Sequence, residues 1–282
     1  MIRLVVNAQE FGTTPAIDRA VIQAHRDGIV TSTSLLGNCN DLAAVRSALL
    51  EAPRLGIGVS LALVGGSPIA LAADVPSLLT AKGVLRSSPS EFALDWLKNI
   101  ISPLDLEREM TAQVARALDA GLAIDHLCTR HHLGFLPGVG QVVERVARRH
   151  KIPGIRSTVE PPTLSWLTDP RRGIQTGVLG GLSWLTRRRL GSLRHGPQTW
   201  GYLESGRLDE VRIVEIIGRM GPGPHELICH PNQIANQIPN QVASQVAGQV
   251  EDSVELRALT STKVKTALER RAIVLCRWQD LF

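Results

Sequence analysis

Short apolar segments rich in β-branched residues alternate with helix-periodic ones through the first part of the chain, and that alternation restricts it to a parallel α/β fold. Ile2 to Val6 reads as a buried first strand running into a polar turn. Behind Pro15, Ile17, Ala20, Val21 and Ala24 recur at helical spacing until Gly28 stops them. Ile29 to Leu36 reads as a second strand, Leu42 to Leu50 as a helix closed by Pro53, and Ile57 to Val64 as a third strand. Leu106 to Ala120 is an amphipathic helix, Ile124 to Cys128 a strand, Val139 to His150 a helix and Ile155-Arg156 a short strand. Glu255 to Arg271 reads as the last regular helix, before a terminal strand at Ile273 to Cys276. Parallel strands need crossover helices, so the expected architecture is an open sheet or a barrel with its chemistry at the C-terminal strand ends. Three of those ends carry unusual polar residues: Gln9-Glu10, Ser60, and Thr129-Arg130-His131-His132.

With 282 residues, 44% of them hydrophobic, the chain can bury a sizeable core, and residues 1–282 read as one domain. The formal charge of +5 is local. Six of the 31 basic residues (Arg171, Arg172, Arg187, Arg188, Arg189 and Arg194) lie in a stretch without Asp or Glu, and the 25 that remain face 26 acidic residues. Aromatic content is 4%, with Tyr202 the one tyrosine, too few for a stacking platform, and no nucleic-acid motif accompanies the arginines. Nucleic acid is therefore not an expected partner. Arg187, Arg188 and Arg189 form either a solvated face or a contact for an anionic surface.

Cys39, Cys128, Cys229 and Cys276 are scattered without a CxxC pair and read as reduced core residues. Neither a signal-peptide pattern nor a membrane-length apolar run is present, so a cytoplasmic location is expected. Residues 232–251 repeat a tetrad five times, NQIA-NQIP-NQVA-SQVA-GQVE. That insertion is either an expanded surface loop or a lid or partner-binding helix, with Pro239 interrupting its stripe of Ile and Val.

Several segments together resemble the YdjC-like carbohydrate deacetylases, a family with chitooligosaccharide and hopanoid-associated members. They are VVNAQEFGTTP, LGIGVSLALV, IDHLCTRHHLGFLP, IPGIRSTVEPP, ELICHPN and ALTSTKVKTALERRAIVLCRW, in that order along nearly the whole chain. LALVGGSP and the VEPP segment resemble the hopanoid-associated branch. The resemblance implies a distorted (β/α) barrel of the glycoside hydrolase/deacetylase type, and a divalent metal held by one Asp and two His. Such a metal polarises the amide carbonyl and acidifies its water, while a carboxylate and a His move the protons. It also implies that a homodimer is possible.

Carried over position by position, the metal motif is altered. The family's NADDFG reads NAQEFG here, so Gln9 replaces the base and Glu10 the ligand Asp. Ser60 stands in VSLAL where the family places a ligand His, and Arg130 stands where DSHxHxH places the other. A neutral hydroxyl is a poor zinc ligand and a guanidinium is none. No metal or other cofactor is therefore expected. His230 in ELICHPN matches the family's C-terminal His, which resembles a general acid.

The candidate catalytic residues are thus Glu10, Arg130, His131 and His230, with Gln9, Phe11, Ser60 and His132 lining a substrate cleft. A salt bridge between Arg130 and Glu10 is expected. It either fills the old site inertly, or leaves Arg130 to bind an anionic group while Glu10 and His230 exchange protons, or coexists with residual metal binding through Glu10 and His131 or His132. His126 reads as strand packing, and His25, His150, His195 and His225 as surface or loop residues. The expected activity is metal-independent chemistry on a glycosylated or acylated small molecule in lipid or secondary-metabolite biosynthesis. The alternatives are a non-catalytic binding or regulatory subunit, and a metal-dependent N-acetyl amino-sugar deacetylase.

Overall fold

The computed structural model describes residues 1–156, 194–202, 204, 206–231 and 253–281. Its strands are β1 (Ile2–Phe11), β2 (Ser32–Leu36), β3 (Gly56–Leu61), β4 (Ile124–Thr129), β5 (Gly154–Ile155), β6 (Arg194–His195), β7 (Gln198–Trp200), β8 (Gly223–Cys229) and β9 (Ile273–Leu275). They form one parallel sheet in the order β6-β5-β4-β3-β2-β1-β8-β7, with β9 pairing to β1. Only Gly196 and Pro197 separate the edge strands β6 and β7. Three Cα steps hold those edges within about 11 Å of each other. The sheet is therefore rolled into the distorted α/β barrel that the sequence leads one to expect.

Helices α1 (Pro15–Arg26), α2 (Leu42–Leu49), α3 (Pro89–Leu97), α4 (Pro103–Asp119), α5 (Val139–Arg149), α6 (Glu210–Arg219), α7 (Val254–Thr260) and α8 (Thr262–Arg270) complete the described structure. Three of them begin with a hydroxyl cap followed by proline. Thr14 accepts from the Ile17 N–H, Ser88 from Glu91, and Ser102 from Leu104 and Asp105. Each such cap contributes about 1 kcal/mol. The same local chemistry divides the helix expected over 255–271. Ser261 is extended (ψ 134°) and its hydroxyl accepts from the Lys263 N–H, so α7 ends and α8 begins there. Helices α3 and α6 lie in stretches that periodicity left unassigned.

Strand β1 does not turn after Val6 but continues to Phe11. Its alternate residues explain the difference. Leu4, Val6 and Ala8 are fully buried in the main apolar core under the helices, whereas Val5 packs inside the barrel against Trp278 and Leu281. Asn7 and Gln9 share the inward parity of Val5. A polar residue there meets other inward polar groups instead of water, so it extends the strand where a solvent-facing one would end it.

Gly58 on β3 makes room for this interior. A Cβ there would lie 2.2–2.4 Å from ring atoms of His126. The C-terminal turn Trp278–Leu281 closes the barrel floor, with the Trp278 indole stacked on His126 at 4.6 Å between centroids. Cys39, Cys128 and Cys229 are buried and Cys276 is partly exposed, all four as free thiols. No described helix is long and apolar enough to cross a membrane. The tetrad repeat and the arginines from Arg171 to Arg189 lie outside the described residues.

Trp278→Ala removes both the stacked indole and a hydrogen bond to buried Glu226. The expected loss is about 3–5 kcal/mol, read from the urea midpoint. An unchanged midpoint would show that the C-terminal turn does not hold the barrel floor.

Candidate active site at the barrel mouth

The barrel interior is a column of polar side chains, each tier positioning the one above. At the bottom, His126 on β4 is fully buried. Its Nε2 faces the Asn7 amide N–H at 2.9 Å, which makes that nitrogen an acceptor; Nδ1 then donates to Asp125 Oδ1 at 2.7 Å. Ser34 Oγ lies 3.1 Å from the same Nε2. His126 is thus held by packing and hydrogen bonds well below the strand ends.

The middle tier is an ion pair between Arg156, just past β5, and Glu226 on β8, their side chains 3% and 0% exposed. Arg156 Nε reaches both carboxylate oxygens at 3.0 Å and Nη2 reaches Oε1 at 2.6 Å. Asn7 and Trp278 also donate to Oε1, at 2.9 and 3.2 Å. A buried charge pair is tolerated only when its remaining donors and acceptors are filled in this way. Arg156 Nη1 donates upward to Gln9 Oε1 at 3.1 Å, and Gln9 Nε2 donates to Ser34 and Asn7. Gln9 is thereby locked as the cap of the buried network.

The strand ends above Gln9 carry the candidate residues. Glu10 has a left-handed backbone (φ 66°), and its turn is held by Thr13 N–H to Glu10 O and by Gly12 N–H to Asp18 Oδ1 at 2.6 Å. Burial pushes the Asp18 carboxyl up to about 6. Arg130 leaves β4 directly into a tight turn in which His131 (φ 54°) and His132 (φ 56°) are also left-handed. Its Nη2 lies 3.4 Å from Glu10 Oε1. Three non-glycine residues in this costly region within one rim are typical of strain retained at a functional site.

Ser60 is buried, in register with Cys128 and two residues below the level of Arg130. His131 is exposed at the rim. Part of His132 stays accessible, but its ring stacks on Phe135 and meets the edge of Tyr202. Enclosure of that ring, with the charges of Arg156, His230 and His131 acting in the same direction, lowers its pKa to about 3.

His230 follows β8 and is half-buried; its pKa is lowered by burial, with Glu10 and Arg156 pulling it up and down respectively. Its backbone N–H donates to Glu255 Oε2 at 2.5 Å, and the Leu208 N–H donates to the other oxygen at 3.3 Å. Burial raises the Glu255 carboxyl to about 8, against the pull of the His230, Leu208, Gly206 and Arg207 amides.

The structure thus brings Gln9, Glu10, Arg130, His131, His132 and His230 to the rim, with Ser60 just below. Phe11 is a correction: it is fully buried in the apolar core, because a bulge between Ala8 and Phe11 in the β1–β2 pairing turns its ring outward, away from the cleft. His225 is another, buried on β8, where it accepts from the Trp200 indole and donates to the Gly221 carbonyl. Cys229 is not a reactive thiol, since burial pushes its pKa well up. Arg156, Glu226, Asn7 and Glu255 were missed. The available signal for the ion pair was one charged residue beside each of two short apolar runs, Arg156 in GIR and Glu226 in ELIC. Among the described residues, no group of three or more His, Cys, Asp or Glu is arranged to hold a metal.

The family model described as YdjC-like protein matches residues 3–270. The chain belongs to the YdjC-like family. Its relatives include the carbohydrate deacetylase of Brevibacillus brevis, 34% identical over 151 residues, which are 54% of this chain and 58% of that one. The carbohydrate deacetylase of Geobacillus stearothermophilus is 32% identical over 149 residues, 53% and 57% of the two chains. Each match spans less than two thirds of the relative's length. An Enterococcus faecalis V583 crystal structure, provisionally described as a cellobiose-phosphate cleavage protein, superposes with a TM-score of 0.76 at 26% identity, covering 99% of this chain and 98% of that one. The YdjC-like frame is therefore matched from end to end.

Glu255 titrates above its unfolded value of 4.5, so its contribution to stability is complete below about pH 4.5 and is lost as pH rises through about 8. Glu255→Gln cannot ionise, and it should flatten the decline in unfolding midpoint across that interval. A decline as steep in the variant as in the wild type would assign the pH dependence to other groups.

Proposed function

We propose that the barrel mouth binds a sugar-bearing small molecule and acts on it without a metal ion. The observation that carries this reading is the Arg130 guanidinium 3.4 Å from Glu10, projecting from the strand end where the family resemblance expects a ligand histidine. Glu10, Ser60 and Arg130 offer one carboxylate, one neutral hydroxyl and one fixed positive charge. A guanidinium has no lone pair to donate and repels a second cation, so this set does not fit a divalent metal. The names of the curated relatives support a carbohydrate ligand. The LALVGGSP and VEPP segments support a place in lipid or secondary-metabolite biosynthesis.

The chemistry available is acyl hydrolysis by proton transfer. Glu10 accepts a proton from water as the water oxygen bonds to the acyl carbon. Arg130 donates a hydrogen bond to the oxygen on which negative charge develops. His230 then protonates the departing amine or alcohol as the acyl bond breaks. Because burial holds His230 below the usual histidine value, its acid form grows as pH falls below neutrality. A second, non-catalytic reading draws on Gln9, whose amide is locked to Arg156 where the family expects a base.

Turnover of N- and O-acetylated sugars is expected to survive chelation and to increase as pH falls below neutrality. Glu10→Gln and His230→Ala should each lower it about 10²–10⁴-fold while leaving ligand binding measurable. Turnover restored only by added zinc would refute the metal-independent reading. Binding without turnover under every condition would establish the non-catalytic one.

A further inference from the structure

The two residues that exchange protons in this reading both stand on backbone held from behind by a buried carboxyl. On the Glu10 side the hold is indirect, since Asp18 takes the amide of Gly12, two residues on. On the His230 side it is direct. Glu255, the second residue of α7, is fully buried and accepts the His230 amide itself on Oε2 and the Leu208 amide on Oε1. The amides of Gly206 and Arg207 bond to the same carboxyl. Gly206 is left-handed (φ 76°), a backbone state in which successive amides turn toward one point. The end of β8 and the turn before α6 thus converge on a single side chain.

A carboxyl so placed can act on the His230 ring by charge or by position. Burial raises Glu255 to about 8 and holds His230 below the ordinary histidine value, so Glu255 is uncharged across the range in which the imidazole gains its proton. The charges that do act on the ring are Glu10, which pulls its pKa up, and Arg156, which pulls it down; His132 in turn feels the charge of His230. Position is the route that remains. The bond to its own amide fixes where His230 leaves β8, and with it how deeply the ring is enclosed and how it faces Glu10. Buried amides are not left unpaired, so without this carboxyl the strand end and the turn must shift to find other acceptors.

We propose that Glu255 is a positioning residue of the barrel mouth: by holding the His230 amide and the 206–208 turn on one carboxyl, it sets the His230 imidazole where it can serve the same substrate as Glu10. This inference rests on the reading of His230 as the proton donor.

The test follows the ring signals of the eight histidines by NMR in the full-length chain, with His230 assigned from the signal that His230→Gln removes. Glu255→Ala deletes both acceptors. Glu255→Gln keeps the size and neutrality of the group but presents an N–H donor in place of one acceptor. In both, the His230 titration midpoint should rise toward the ordinary histidine value as the ring loses its enclosure, further in the alanine variant, while the signals of buried His126 and His225 stay in place. Turnover of N- and O-acetylated sugars should fall about 10–100-fold in kcat with KM within about two-fold, because a small misplacement weakens transition-state contacts and not binding. If the alanine variant does not fold, the glutamine variant decides. An unmoved His230 signal in the folded variants would overturn the inference whether or not turnover changes. Movement of the His126 and His225 signals along with it would overturn it too, since Glu255 would then serve the fold at large. A raised KM with kcat unchanged would assign Glu255 to ligand binding and overturn it likewise. A selective His230 shift where even the wild type shows no turnover would keep the positioning role and refute the proton-donor reading.

Discussion

The buried pair of Arg156 and Glu226 is the constraint on which the rest of the structure depends. Removing two charges from water costs several kcal/mol per ion, and their mutual attraction offsets it only when nearly every donor and acceptor is filled. Glu226 accepts from Arg156, Asn7 and Trp278, and Arg156 donates to Glu226, Gln9 and Ser34. Those partners come from β1, β2, β8, the segment after β5 and the C-terminal turn. Satisfying this one pair therefore requires the sheet to roll until its two halves face each other, and requires the C-terminus to close the floor. The same hydrogen bonds run down to His126 and Asp125 and up to Gln9.

That column sets what the mouth can do. Gln9 is held by the network beneath it, so its amide is a fixed surface and not a mobile base. Glu10, one residue later, takes a left-handed turn that Asp18 secures through the Gly12 amide, and faces Arg130 across the rim. Opposite them, Glu255 gathers the amide of His230 and that of Leu208, tying the end of β8 to the loop before α6. Strain and burial are concentrated at these strand ends, while the helices around them are ordinary capped, amphipathic segments. A saturated arginine below and an unsaturated one above separate the part of the barrel that maintains the fold from the part available to a ligand.

Much of this was legible in the residues. The helices α1, α2, α4 and α5 are marked by caps, prolines and apolar spacing, which act over one or two turns. Strands β2, β3 and β4 stand out as β-branched runs bounded by glycine. Polar residues at strand ends pointed to the mouth, and the expected contact between Glu10 and Arg130 is present at 3.4 Å. Other features were not legible, for identifiable reasons. Asn7 and Gln9 read as a turn, since a polar residue in a strand has no visible partner until the barrel supplies one. Phe11 read as part of the cleft because it adjoins Glu10, yet a bulge gave it to the core. His225 looked like a loop residue because its indole partner, Trp200, lies on a strand too short to show periodicity.

The sequence by itself determined the parallel α/β class, most helix starts, the family and the substituted residues of the mouth. All of these depend on neighbours within a few positions or on motifs read in order. Tertiary structure alone decided which polar side chains are buried, which arginine is saturated, and which strand residues face inward. A strand's two faces are equivalent until the sheet rolls, and the partners that make a buried charge tolerable lie 70 residues apart in the case of Arg156 and Glu226 and 219 apart in that of Asn7 and Glu226.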